Sequence, residues 1–177
     1  VALEQFRNLK IFLEQFFTLF VVIASLLTEE DIAIFYFAYG SNLWLQQMAA
    51  RCPGHQKIGT GRLTGWRWII TTRGYANIVE SKDEYVLGVV YELTAADEIS
   101  LDRYEGVSQG SYRKEMMTVD VEGRQLNCLV YIDPIVAVGE PKVEYIKRLQ
   151  NGIQDAGFPN EYVTLFLRQS VPEQQMS

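Results

Sequence analysis

The chain is predicted to fold as one α+β domain behind a helical N-terminal extension, and three observations predict it. Its 177 residues, 48% hydrophobic and 21% charged, have the length and composition of a single globular domain with a sizeable core. Runs of β type concentrate in the middle of the sequence, whereas helical periodicity marks both ends of the domain. Near Asp31 a long apolar stretch gives way to short elements separated by turn residues.

These observations divide the chain into an extension over residues 1–33, a domain over 34–170 and a tail over 171–177. Within the extension, Glu4, Arg7, Lys10 and Glu14 recur at three- and four-residue spacing and so share one face of a helix. The following "FFTLFVVIASLL" is continuously apolar but falls short of the roughly 20 residues that span a bilayer. Neither "VALEQF" nor "LLTEED" has the basic start or small-residue site of a secretory signal, so a signal peptide is not expected. Packing on the domain, pairing with another chain and contact with a membrane all stay open for this segment.

"IAIFYFA", apolar at every position, reads as a fully buried strand, and "NLWLQQMAARC" as a helix stopping before Pro53. "GTGRLTG" reads as a strand with tight backbone contacts. "WRWIITT", "ANIVE" and "YVLGVVYEL" are further β runs, separated by Gly74, Ser81 and Asp83. Thr94 and Asp97 approximate a capping box for the helix "AADEISLDRYE", which stops where Gly106 permits a left-handed residue. "YRKEMMTVDV" and "RQLNCLVYI" flank Glu122-Gly123, a hairpin signature. Val143, Ile146, Leu149 and Ile153 follow helical spacing up to Gly157, and Pro159 opens a last helix, "NEYVTLFLRQS".

Composition and spacing exclude several chemistries. A net charge of -6 and a pI near 4.9 argue against binding nucleic acid through a general basic face. Cys52 and Cys128 with the single histidine, His55, supply no set of zinc ligands, so no metal is expected. The two cysteines do not make a disulfide framework; they read as packing residues and suit a reducing cytoplasm. Ser41 is not expected to be a nucleophile, because Leu43 stands where a nucleophile elbow has its second glycine and His55 lies in the turn-rich "RCPGHQK". The glycines of "GTGRLTG" match neither a dinucleotide fingerprint nor a phosphate loop.

Two features can carry chemistry. Tyr39-Gly40-Ser41-Asn42 sits between the buried strand and the first helix, where unpaired backbone N–H groups can hold a carboxylate or an oxyanion. The local alternative is that Ser41 or Asn42 only caps that helix. Glu105, in "LDRYEGV", stands at a helix end whose dipole disfavours negative charge. Partial burial there would raise its pKa above the free value of roughly 4.3 and make it a better proton acceptor.

Taken in order, "YFAYGSNL", "EYVLGVVYEL", "LDRYEGVSQGSY", "CLVYI", "PKVEY" and "GFPNEY" resemble the γ-glutamylcyclotransferase family over most of the chain. The resemblance implies a small mixed β-barrel with flanking helices. It also implies an enzyme that releases 5-oxoproline from a γ-glutamyl amino acid, peptide or amine by internal attack of the α-amine, without cofactor or metal. By the same resemblance Glu105 is the catalytic glutamate, Tyr39, Gly40, Ser41 and Asn42 form the substrate-binding loop, and Tyr112 and Tyr145 lie near the pocket. Asn42 sets the chain apart from the glutathione-specific branch. The partner implied is a small γ-glutamyl substrate in the cytoplasm; a homodimer stays open. The reading from another class is a non-catalytic small-ligand or protein-interaction domain on the same fold.

Overall fold

Strand β1 (Ile34–Ala38) closes a five-stranded barrel: it runs antiparallel to β3 on one side and parallel to β5 on the other. The computed structural model describes residues 33–173. The order around the barrel is β1, β3, β2, β4, β5, with β2 (Gln56–Ile70), β3 (Ala76–Leu93), β4 (Arg113–Val121) and β5 (Arg124–Ile132). The single parallel pairing makes it the small mixed barrel that the resemblance implies. Residues 1–32, and with them the expected helical extension, lie outside the described residues. Among the described residues no helix is long and apolar enough to cross a membrane.

The barrel interior explains the central glycine of "GTGRLTG", Gly61. Gly61 and Gly88 are cross-strand partners, and the ring of the fully buried Phe37 fills the space beside them. A Cβ on Gly88 would stand 2.5 Å from Phe37 Cε2 and 2.4 Å from the carbonyl oxygen of Ala38. Any side chain there would force β1 away from β3 in a core that tolerates little overpacking.

Sequence and structure differ at several elements. The expected runs "ANIVE" and "YVLGVVYEL" belong to one strand, β3. Its pairing with β2 steps from Glu80 to Tyr85 while β2 advances only from Trp66 to Thr64. Ser81 and Asp83 thus mark a bulge, where the Ser81 hydroxyl binds the Glu84 carboxylate, and not a strand end. Glu122 (φ 53°) and Gly123 (φ 82°) form the expected two-residue turn between β4 and β5.

The first helix is shorter than "NLWLQQMAARC". A 3₁₀ turn at Ser41–Leu43 is followed by extended Trp44 and only then by α1 (Leu45–Arg51). Neither Ser41 nor Asn42 caps it. The Leu45 N–H instead donates to the Asp155 carboxylate at 2.9 Å, from helix α3 (Val143–Ala156). Gly152 of α3 allows the contact, since a Cβ there would lie 2.8 Å from Leu43 Cβ. The buried stripe of α3 runs through Tyr145, Leu149, Ile153 and Ala156; Val143, expected on it, is 84% exposed.

Helix α2 (Ala95–Tyr104) has the full capping box, with Asp97 N–H on Thr94 Oγ1 at 3.1 Å and Thr94 N–H on Asp97 Oδ2 at 3.2 Å. After Gly157 (φ 64°), α4 (Asn160–Tyr162) passes into a wider π turn at Val163–Leu167, so the last helix is shorter than expected. Val171, assigned to the tail, is buried in the core. Cys52 and Cys128 are free and buried, and burial pushes both thiols up to about 12, as packing residues require.

Candidate active site

The loop after β1 is held from both sides. The Tyr39 hydroxyl donates to the Tyr131 carbonyl on β5, and the Tyr39 carbonyl accepts from Trp68 Nε1 at 2.9 Å. Gly40 presses against the cavity wall: a Cβ there would stand 2.9 Å from the Tyr145 hydroxyl and 3.3 Å from Ala76 Cβ. Glycine is needed here for close approach. The Ser41 N–H donates to the Tyr145 hydroxyl at 3.2 Å, and Ser41 Oγ accepts from Gln47 Nε2 at 2.8 Å.

Asn42 is the hub. Its Nδ2 donates to the Tyr36 hydroxyl at 2.9 Å and to Glu105 Oε1 at 3.3 Å. Its Oδ1 accepts from Gln47 Nε2 and Arg51 Nη1, both at 2.9 Å. Both donors and both acceptor positions of the amide are used, so a buried polar side chain is fully satisfied. The Tyr91 hydroxyl donates to the Asn42 carbonyl at 3.1 Å, fixing the backbone as well.

Glu105 caps the C-terminus of α2, with its N–H on the Leu101 carbonyl at 2.8 Å, and Gly106 (φ 64°) turns the chain away. Its carboxyl group reaches Asn42 and lies 3.6 Å from Arg51 Nη1; both partners of this ion pair are 16% exposed. Burial raises the Glu105 pKa above the ordinary carboxylate value, with Arg51, the Asn42 hydrogen bond and Arg73 opposing it in that order.

Tyr39, Gly40, Ser41, Asn42, Glu105, Tyr112 and Tyr145, drawn from three well-separated parts of the sequence, line one cavity. The Tyr112 hydroxyl donates to the Ala76 carbonyl at 3.2 Å. Burial raises the pKa of Tyr36, Tyr39, Tyr112 and Tyr131, and pushes Tyr145 up to about 12. The phenols are therefore neutral hydrogen-bonding groups at neutral pH, and among the described residues Glu105 is the one carboxylate of the lining. His55 stands elsewhere, with Nδ1 2.6 Å from the Cys52 carbonyl and its ring edge-on to Tyr91. Among the described residues no group of acidic, histidine and cysteine side chains could hold a metal ion.

Several residues of the site are missing from the sequence reading. Tyr36 and Tyr131 line the cavity as well; the sequence places them only within strands. Gln47 and Arg51, one helical turn apart on α1, hold Asn42 and Glu105. Their spacing was a signal, but an exposed helix face produces the same pattern.

A second, outer cavity of about 330 Å³ shares Ser41, Glu105, Tyr112 and Tyr145 with the first. Four arginines line it: Arg51, Arg73, Arg103 and Arg148. Arg73 is anchored, with Nη1 3.2 Å from the fully buried Asp133 carboxylate and 2.8 Å from the Ser111 carbonyl.

A closed small barrel with a tyrosine-walled cavity and a mostly buried carboxylate of raised pKa is an arrangement that can exchange protons with a small ligand. Residues 36–147 match the Gamma-glutamyl cyclotransferase, AIG2-like family, and the chain belongs to that family. It is 30% identical over 146 residues to the Bos taurus Gamma-glutamylcyclotransferase, a match spanning 76% of this chain and 78% of that protein. The Homo sapiens Gamma-glutamylcyclotransferase is 28% identical over 144 residues, spanning 75% and 77%. A solved structure named Gamma-glutamyl cyclotransferase superposes with a TM-score of 0.71 at 25% identity, covering 82% of this chain and 91% of that one.

Proposed function

We propose that the chain is a γ-glutamylcyclotransferase, with Glu105 as the proton-transfer group. The observation that carries this reading is the mostly buried Glu105 carboxyl group, its pKa raised, in one cavity with the Tyr39 to Asn42 loop. The substrate supplies its own nucleophile: its α-amine attacks the γ-carbonyl carbon, a C–N bond closes the five-membered ring, and the γ-amide C–N bond breaks. Glu105 takes a proton from the attacking amine and delivers one to the departing nitrogen, so 5-oxoproline and a free amine leave with the proton count unchanged. Ring closure is favoured by holding the glutamyl chain folded, since positioned intramolecular attack reaches effective molarities of order 10⁵ M or more.

The Ser41 N–H, now on the Tyr145 hydroxyl, is a donor that the substrate α-carboxylate or the developing oxyanion can take over. Gly40 lets the backbone come that close, and Tyr39, Tyr112 and Tyr145 wall the glutamyl group. The two reduced, buried thiols support the cytoplasm as its compartment. The test is incubation with a panel of γ-glutamyl amino acids, peptides and amines, with 5-oxoproline read by mass spectrometry. Product from at least one substrate is expected. No product from any of them would return the chain to the non-catalytic binding reading.

A further inference from the structure

The outer cavity is cationic in a chain that is acidic overall, and its charges are not equally occupied. Arg51 is paired with Glu105, and Arg73 with Asp133. Arg103, in the last turn of α2, and Arg148, in the middle of α3, make no ion pair and no side-chain hydrogen bond among the described residues. A basic residue in the last turn of a helix is favoured by the helix dipole, which accounts for Arg103 locally. Arg148 is half-buried beside the cavity; Glu144 stands four residues before it on the same helix, but no ion pair to Arg148 forms among the described residues. Arg103 and Arg148 thus line one chamber from two different helices, and neither has an ion-pair partner among the described residues.

The inner cavity has no cation in its lining. A glutamyl α-carboxylate bound there is met by backbone N–H groups and phenols, which leaves Arg103 and Arg148 to the half of the substrate that departs. We propose that this departing half carries two negative charges, as in the γ-glutamyl derivative of a dicarboxylic amino acid, with Arg103 and Arg148 as its specificity determinants. The inference rests on the cyclotransferase reading. Guanidinium groups suit the role because they bind carboxylates bidentately and stay charged at every relevant pH. The chamber of about 330 Å³ gives such a group room.

The test compares γ-glutamyl-glutamate with γ-glutamyl-glutamine, which are nearly isosteric and differ by one charge. The wild type is expected to favour γ-glutamyl-glutamate in kcat/KM by about 10-fold or more, mainly through KM, as one charge-assisted contact provides. The ratio should fall toward unity in the Arg103→Gln/Arg148→Gln double variant and recover in part with Arg148→Lys. Higher salt should shrink it, because the chamber is open to solvent. Equal kcat/KM for the two substrates in the wild type, or a preference that survives the double variant, overturns the inference while leaving the cyclotransferase reading intact. If neither substrate yields 5-oxoproline while other γ-glutamyl compounds do, the inference also fails; if none does, the parent reading fails with it.

Discussion

The inner and outer cavities share four wall residues and are built on opposite plans. Around Glu105 every polar side chain has a partner: Asn42 uses both donors and both acceptor positions, and Arg51 divides itself between Asn42 and the carboxylate. In the outer cavity two guanidinium groups have none among the described residues. A group that must move a proton needs a fixed, partly dehydrated setting, so its neighbours are committed in advance. A surface that selects a ligand by charge keeps its charge unspent until the ligand arrives.

The strongest way to break this contrast is Glu105→Gln. The amide keeps the shape but cannot accept the proton of the amine, so turnover should drop by about 10²- to 10⁴-fold with the fold intact. Product formation by mass spectrometry and thermal melting measure the two effects. Stability should move the other way with pH. Because the folded-state pKa of Glu105 is raised, the folded wild type holds its proton more tightly than the unfolded chain does. That contribution stabilises the wild type as pH falls through the raised pKa and is lost above it. The Gln variant should lack this component, seen as a smaller gain in stability on acidification.

Gly40→Ala comes next. The new Cβ would meet the Tyr145 hydroxyl at 2.9 Å and displace either the loop or the tyrosine, lowering kcat/KM by roughly 10- to 100-fold. Wild-type kinetics would mean that the close approach of Gly40 to Tyr145 has no catalytic consequence.

Arg51→Gln should act on the pH profile. The wild-type kcat/KM is expected to fall on acidification with a midpoint above the ordinary glutamate value of roughly 4.3, as Glu105 becomes protonated. Arg51 is the largest influence lowering that pKa, so its removal should shift the acid limb to higher pH. An unmoved limb would separate Arg51 from the charge state of Glu105.

The smallest effect is expected for Ser41→Ala, which removes one acceptor for Gln47 and leaves the backbone N–H in place. A change of no more than a few-fold would sharpen the distinction between a loop that acts through its backbone and a glutamate that acts through its side chain. Complete loss with intact folding would give the hydroxyl a part of its own.

Much of the domain is legible in the sequence because its signals are local. The Thr94 to Asp97 box, the Glu122-Gly123 turn and the helix stop at Gly157 depend on backbone conformations that particular residues favour by themselves. The loop at Tyr39 to Asn42 and the glutamate of "LDRYEGV" are legible as a pair through the ordered motifs of the family. At the start of α1, where local rules gave a wrong element, a distant partner had intervened. Asp155 and Gly152 of α3 decide where α1 starts, displacing Ser41 and Asn42 from the capping role that sequence rules offer them.

The sequence by itself determined the α+β class and the order of strands and helices, because patterning and turn chemistry act over a few residues, and it marked the two segments that meet at the site through the ordered motifs of the family. Only the tertiary structure decided that the strands close through a parallel β1–β5 pairing. It alone decided that Tyr36 and Tyr131 join the cavity wall, and that two of the four arginines of the outer cavity have no ion pair among the described residues. Those outcomes turn on which groups burial brings within a few ångströms of one another, and on which charges find partners there. Neither is written in residue spacing along the chain.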